Sequence, residues 1–68
     1  MSVARVTEIS SRSDRSFEAA INEGIERAHK TLRNVKSAWI KEQQVDIEGG
    51  RIVAYRVNML ITFVLDDD

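Results

Sequence analysis

Arg51-Ile52-Val53-Ala54-Tyr55-Arg56-Val57-Asn58-Met59-Leu60-Ile61-Thr62-Phe63-Val64-Leu65 is the stretch on which the fold turns. Every odd position from Val53 to Leu65 is apolar, a period of two that belongs to a β-strand. Val53, Tyr55, Val57, Met59, Ile61, Phe63 and Leu65 share one side of the pleat and call for a helix over them. Ala54, Arg56, Asn58, Leu60, Thr62 and Val64 share the other, which is neither clean surface nor clean core. That mixed side is where function is expected.

Upstream, Glu48-Gly49-Gly50-Arg51 reads as a tight hairpin turn, because paired glycines supply the positive φ angles such turns need. Val35 to Ile47 is then the preceding strand. With Gly49 and Gly50 as loop residues, Glu48 faces Arg51, Gln43 faces Arg56 and Trp39 faces Leu60. Parity places Ser37, Trp39, Lys41 and Gln43 on the mixed side and turns Ala38 and Ile40 toward the helix. The change along one face from Ser37 and Trp39 to Val45 and Ile47 points to a bulge.

The helix comes earlier. Phe17, Ala20, Ile21, Gly24, Ile25, Ala28, Leu32 and Val35 recur at three- and four-residue spacings, predicting an amphipathic helix from about Asp14 to Asn34 with Ser13 as its N-cap. Asp14 and Glu18 early, and Lys30 and Arg33 late, complement the helix dipole. Gly24 lies on the apolar stripe, where the missing side chain allows a close approach to the sheet. Val3 to Ser10 reads as a first strand, and Asp66-Asp67-Asp68 as a solvated tail. The predicted fold is α+β: β-α-β-β, a three-stranded antiparallel sheet with one helix on one face, within a single domain spanning 1–68.

Composition narrows the function. Sixty-eight residues form a marginal core, and without cysteine there is no disulfide, thiolate metal site or thiol nucleophile to add to it. Self-association is the expected remedy. Ten basic residues against eleven acidic ones give a net charge of −1, which provides no general attraction to nucleic acid. No apolar run reaches the roughly 20 residues that cross a bilayer, so no membrane partner and a cytoplasmic location are expected. His29 has no second histidine or cysteine at ligand spacing, and no metal site is expected. No nucleophile–base pair or glycine-rich phosphate loop is visible, which argues against an enzyme and leaves no catalytic residue to name.

Taken together, the helix segments Phe17-Glu18-Ala19-Ala20-Ile21 and Ile25-Glu26-Arg27-Ala28, the segment Thr31-Leu32-Arg33-Asn34-Val35, and the ending Ala54-Tyr55-Arg56-Val57 through Thr62-Phe63-Val64-Leu65 resemble the dodecins. The resemblance implies a hollow homododecamer, with helices outside the sheets, that sequesters or stores a small ligand. Flavin, as riboflavin or FMN, is the implied cofactor, stacked on tryptophans and held by a glutamine near twofold axes. Aligned through Asn34-Val35, the stacking tryptophan of the family falls on Ser37, whereas this chain carries Trp39. The family's glutamine falls on Arg56.

A branch of the family with those same two departures is associated with calcium, and some members bind coenzyme A. The expected flavin contacts are therefore Trp39, Arg56, Ser37, Gln43 and Gln44. Arg5, Arg27, Lys30 and Arg33 are the candidates for phosphate or coenzyme A. Trp39 packing only a subunit interface, Arg56 pairing with Glu42 or Asp46, and Arg27, Lys30 and Arg33 forming a solvated helix face remain the competing readings.

Overall fold

The structure, a computed structural model, describes residues 3–65; the acidic run at 66–68 lies outside them. The elements run β1 (Ala4–Ser13), α1 (Phe17–Thr31), β2 (Val35–Glu48) and β3 (Arg51–Val64). The sheet order is β1-β3-β2, and β3 pairs antiparallel with both neighbours. The β-α-β-β order and the antiparallel sheet are as the sequence predicts.

The limits of α1 differ from the expected span. Ser16, not Ser13, is the N-cap: its backbone is extended and its Oγ accepts the Ala19 N–H at 2.9 Å. Ser13 instead closes β1, buried, and accepts the Arg15 N–H at 3.1 Å. Both serines can cap, but pairing of β1 with β3 continues to Ser13 opposite Tyr55 and commits that residue to the sheet. At the other end Leu32 is already extended, so Arg33 and Asn34 belong to the connection. Asn34 turns the chain there with φ of 60° and donates its Nδ2 to the Val64 carbonyl at 3.3 Å. Asparagine tolerates that left-handed backbone better than most residues.

The dry part of the molecule is narrow. Ala20, Gly24 and Ala28 are the buried face of α1, and beneath them Val57, Met59 and Ile61 of β3 are fully buried. Full burial of side chains of that size contributes about 1.5–3 kcal/mol each. Phe17, Ile21, Ile25 and Leu32 extend the contact, and Phe17 meets Tyr55 edge-to-face at a centroid distance of 5.1 Å.

Beyond Tyr55 neither β1 nor α1 continues, and the β2–β3 hairpin projects as two strands to the turn at Gly49 and Gly50, whose φ angles are 59° and 77°. The chain therefore measures 54 × 19 × 13 Å with a radius of gyration of 14.1 Å, against about 11 Å for a compact domain of this length. Two bare strands are marginal in water. The arm is built as though something else supports it.

Three irregularities set the register: one lies at the start of β2, where Val35 pairs with Phe63 but Ser37 with Thr62 and Lys36 is left extra, and two lie nearer the turn. Asp46 pairs with Ala54 but Ile47 with Ile52, which leaves Val53 as an extra residue on β3; Ile40 pairs with Met59 but Glu42 with Asn58, which leaves Lys41 extra on β2. The first slip shifts the register by one residue and the second restores it. Trp39 accordingly faces Leu60 and Glu48 faces Arg51, as expected, whereas Arg56 faces Gln44 and not Gln43. Gln43 sits opposite Val57, on the helix side of the sheet.

A Cβ added to Gly24 would lie 2.5 Å from the Met59 methyl and 3.0 Å from Ser11 Cβ. Met59 is fully buried and Ser11 Cβ is fixed to the backbone of β1, so crowding, typically about 1–3 kcal/mol, outweighs the roughly 1 kcal/mol that alanine gains in helix propensity. Gly24→Ala is expected to lower the denaturation midpoint in urea. A midpoint at or above that of the unchanged protein would show that α1 lifts off the sheet freely.

Candidate functional site: the uncovered face of the sheet

Pairing assigns one face of the sheet to Val6, Glu8 and Arg12 of β1, to Ser37, Trp39, Glu42, Gln44 and Asp46 of β2, and to Ala54, Arg56, Asn58, Leu60, Thr62 and Val64 of β3. This is the side opposite α1. It has an aromatic end and a charged middle; at the hairpin tip Ile47 and Ile52, the next pair after Asp46 and Ala54, turn to the helix side instead, beyond the reach of α1.

At the aromatic end Trp39 is 63% exposed, an unusual state for the largest apolar side chain. It stands across from Leu60, and Ser37 stands across from Thr62. The Thr62 hydroxyl is buried without a hydrogen-bond partner among the described residues. Such an atom costs stability unless an outside group satisfies it. Val6, on the far side of Thr62, is also exposed. The result is a flat, largely apolar platform with one unfilled hydroxyl in its floor.

In the middle, Arg56 donates its Nε to both oxygens of Asp46, at 3.2 and 3.1 Å, and Arg12 donates its Nε to the same carboxylate at 3.3 Å. Arg12 and Gln44 flank Arg56 across the two ladders. Asn58 donates to Glu42 at 2.8 Å, and Lys41 reaches over to Glu8 at 3.3 Å. Glu42, Gln43, Gln44, Arg56 and Asn58 line a shallow hollow of about 260 Å³. The hydrogen bonds to Asp46 come from Nε of Arg56, which leaves the terminal nitrogens of the planar fork able to grip a second acceptor.

The structure thus brings Gln43, Gln44 and Arg56 together, and sets Trp39 and Ser37 apart from them. Leu60 and Arg56 are four residues apart on β3, so Trp39 and Arg56 are separated by about 13 Å within one chain. Of the two sequence-derived partners for Arg56, Asp46 is the one used. Arg12 and Asp46 were not expected at the site. Arg12 lies beyond the predicted first strand, Val3 to Ser10, and only the extension of β1 to Ser13 carries it onto the sheet.

The basic candidates lie elsewhere and do not converge. Arg5 pairs opposite Phe63 near the start of β1, Lys30 is exposed in the last turn of α1, and Arg33 lies in the connection. Arg27 lines a groove of about 340 Å³ between α1 and β1 with Ser11, Gly24 and Thr31. Glu23, a possible partner for these cations, is taken by Arg15 at 2.9 Å. No group of three histidine, cysteine or carboxylate side chains is placed to hold a metal ion among the described residues. No helix among them is long and apolar enough to cross a membrane.

The Arg56 hydrogen bond, followed by that of Arg12 and the charges of both, holds the Asp46 carboxyl below the ordinary aspartate value, against a smaller opposing effect of desolvation. A carboxylate whose folded pKa is depressed stabilises the native state above its unfolded value, near pH 4, and loses that contribution as pH falls through the lower folded value. The thermal stability of the native protein should therefore fall from about pH 4 downward, and Asp46→Asn should flatten the profile in that window. Parallel profiles for the two proteins would show that the arginines do not favour the charged form.

Comparison with known proteins accords with this layout. The family described as Dodecin matches residues 3–66. A dodecin from Streptomyces davaonensis superimposes with a TM-score of 0.92 at 33% identity, over 97% of both chains. An arginine-to-alanine mutant of the Thermus thermophilus dodecin does so with a TM-score of 0.93 at 29% identity, over the whole of both. A protein named calcium dodecin from Mycobacterium tuberculosis is 29% identical over 63 residues, which is 93% of this chain and 89% of that protein. Its crystal structure, described as calcium chelating with a novel calcium-binding site, gives a TM-score of 0.81 at 27% identity, over 97% of this chain and 94% of that one. A match across nearly the whole chain, on the same strand and helix order, makes this protein a member of the dodecin family.

Proposed function

We propose that the chain, with 1–68 acting as one domain, binds and sequesters a flavin at the subunit interfaces of a cytoplasmic homododecamer and catalyses no reaction. The observation that carries this reading is the exposed indole of Trp39, lying on an uncovered apolar platform in a member of a ligand-binding family. A rigid indole with few rotamers suits stacking on a flat ring. The unpartnered Thr62 hydroxyl beneath it offers a hydrogen bond to a ligand edge. Arg56, with Gln44 beside it, supplies donors for the carbonyl-rich edge of a flavin or for the phosphate of FMN.

Because Trp39 and Arg56 are about 13 Å apart along one sheet, the ring and its polar edge occupy different parts of the face. A tricyclic ligand reaches from one toward the other, or a neighbouring subunit brings its own arginine. Gln43, turned toward the helix side, contributes only at the rim of the central hollow.

The alternative is a cage without flavin that holds a cation such as calcium, or coenzyme A. The relative named calcium dodecin favours the first. Against it, a single chain offers no carboxylate cluster among the described residues, so calcium would need ligands from several subunits. Coenzyme A is favoured by the groove beside Arg27, with Arg5, Lys30 and Arg33 too dispersed to complete a phosphate site within one chain.

Titration of riboflavin and FMN into ligand-free protein is expected to quench flavin fluorescence, and the flavin should travel with the protein on a sizing column. Trp39→Ala should weaken binding by about tenfold, the order of one aromatic stacking contact, with the elution volume of the assembly unchanged. Unaltered flavin emission would reject the flavin reading. Dissociation of the assembly by Trp39→Ala would instead make Trp39 an interface residue.

A further inference from the structure

Beyond Trp39 the uncovered face ends in a row that carries two hydroxyls. Ser37 and Thr62 face each other across β2 and β3, one row past Trp39 and Leu60 on the side away from Arg56, and Val6 completes the row from β1. The Thr62 Oγ1 is buried without a partner among the described residues, and Ser37 is exposed beside it. The row owes its small side chains to the irregularity at Lys36. Val35 pairs with Phe63 but Ser37 with Thr62; an unbroken strand would set Lys36 opposite Thr62 and lay a long cation over the hydroxyl.

We infer that Thr62 and Ser37 select a flavin whose benzenoid edge, the one remote from the dione, carries a hydrogen-bonding group such as amino or hydroxyl. The inference deepens the ligand part of the reading above and rests on it. Positions along β3 set the direction of the ring. Leu60, across from Trp39, is four residues from Arg56 in one direction, about 13 Å, and two from Thr62 in the other, about 7 Å. Arg56 and Gln44 bring guanidinium and amide donors to the first side, whereas the second holds two neutral hydroxyls and a valine. The acceptor-rich dione edge of a ring stacked on Trp39 therefore points to Arg56, and the benzenoid edge lies over Thr62 and Ser37.

Riboflavin presents methyl groups at that edge. They cover the Thr62 hydroxyl without satisfying it, and so keep the penalty of an unpaired buried group. An amino or hydroxyl group in place of the outer methyl meets it instead, because each hydroxyl in the row can donate one hydrogen bond and accept two. Thr62 needs only a rotation about χ1, which exchanges its hydroxyl and its methyl group, to turn toward the ligand. Trp39 thus supplies the contact with the ring, and Thr62 distinguishes one ring edge from another.

The test uses ligand-free full-length protein with two probes, riboflavin and the uncharged 8-aminoriboflavin, each measured by equilibrium dialysis with absorbance detection. 8-Aminoriboflavin should bind about fivefold more tightly, the order of one hydrogen bond to a group left unpaired before. Thr62→Val, nearly the same shape without the hydroxyl, should abolish that difference and leave riboflavin affinity unchanged or higher. Without any ligand the same variant should raise the denaturation midpoint in urea, because the unpaired hydroxyl is gone. A lower midpoint would show that the hydroxyl already has a partner in the native protein, and would overturn the inference. Equal affinities for the two probes, or a preference that survives Thr62→Val, would overturn the selection and leave flavin binding intact. Loss of riboflavin affinity in Thr62→Val, with no gain from the added amino group, would put the dione edge at Thr62 and overturn it as well. Binding of neither probe would reject the flavin reading itself and the inference with it.

Discussion

The structure depends on the contact between the small-residue face of α1 and the apolar side of β3. Ala20, Gly24 and Ala28 let the helix axis come close enough that Val57, Met59 and Ile61 lose all contact with water. A larger residue at Gly24 would meet Met59 and Ser11 at once. That closeness has a limit in reach: α1 has 15 residues and β3 has 14, and at about 1.5 Å per residue against about 3.4 Å the helix spans roughly half the strand. A long sheet and a short helix leave one whole face and a projecting arm without cover.

The rest of the molecule is arranged around that shortage. On the uncovered face the charged side chains neutralise one another within the chain: Asp46 takes both Arg12 and Arg56, and Glu8 takes Lys41. Pairing of this kind lowers the cost of placing a second surface over them. The apolar residues Trp39 and Val6 remain exposed at one end of this face, and Ile47 and Ile52 remain exposed on the opposite side of the hairpin tip. With six buried apolar residues among those described, three of them alanine, the protein draws its remaining stability from whatever closes over those ends. Binding a flat ligand and binding another subunit are, on such a face, two uses of the same uncovered surface.

The bulges give the face its chemistry. Without the extra residue at Val53, Arg56 would face Gln43 and the Asp46 carboxylate would be out of step with it; without the second at Lys41, Trp39 would be shifted away from Leu60. The two slips act on opposite strands and cancel. They confine the altered register to the segment where Arg56, Gln44, Glu42 and Asn58 come together. Beyond that segment the plain hairpin pairing resumes and runs to Ser37, where a third shift leaves Lys36 extra on β2.

The sequence alone determined the element order, the apolar stripe of α1, the side of β3 that it covers, the paired-glycine turn and the pairing of Trp39 with Leu60, because periodicity and turn chemistry are local properties of the chain. It also carried the family resemblance that the comparisons established. It could not decide between Ser13 and Ser16 as the helix cap, since both are good caps and the choice is made by how far β1 pairs with β3. It likewise could not place Arg12 beside Asp46 or put Gln44 instead of Gln43 opposite Arg56. Those relations depend on where two bulges fall and where an edge strand stops. Both are settled by the joint packing of three strands against one helix, in which the lowest free energy belongs to the whole register and not to any one segment.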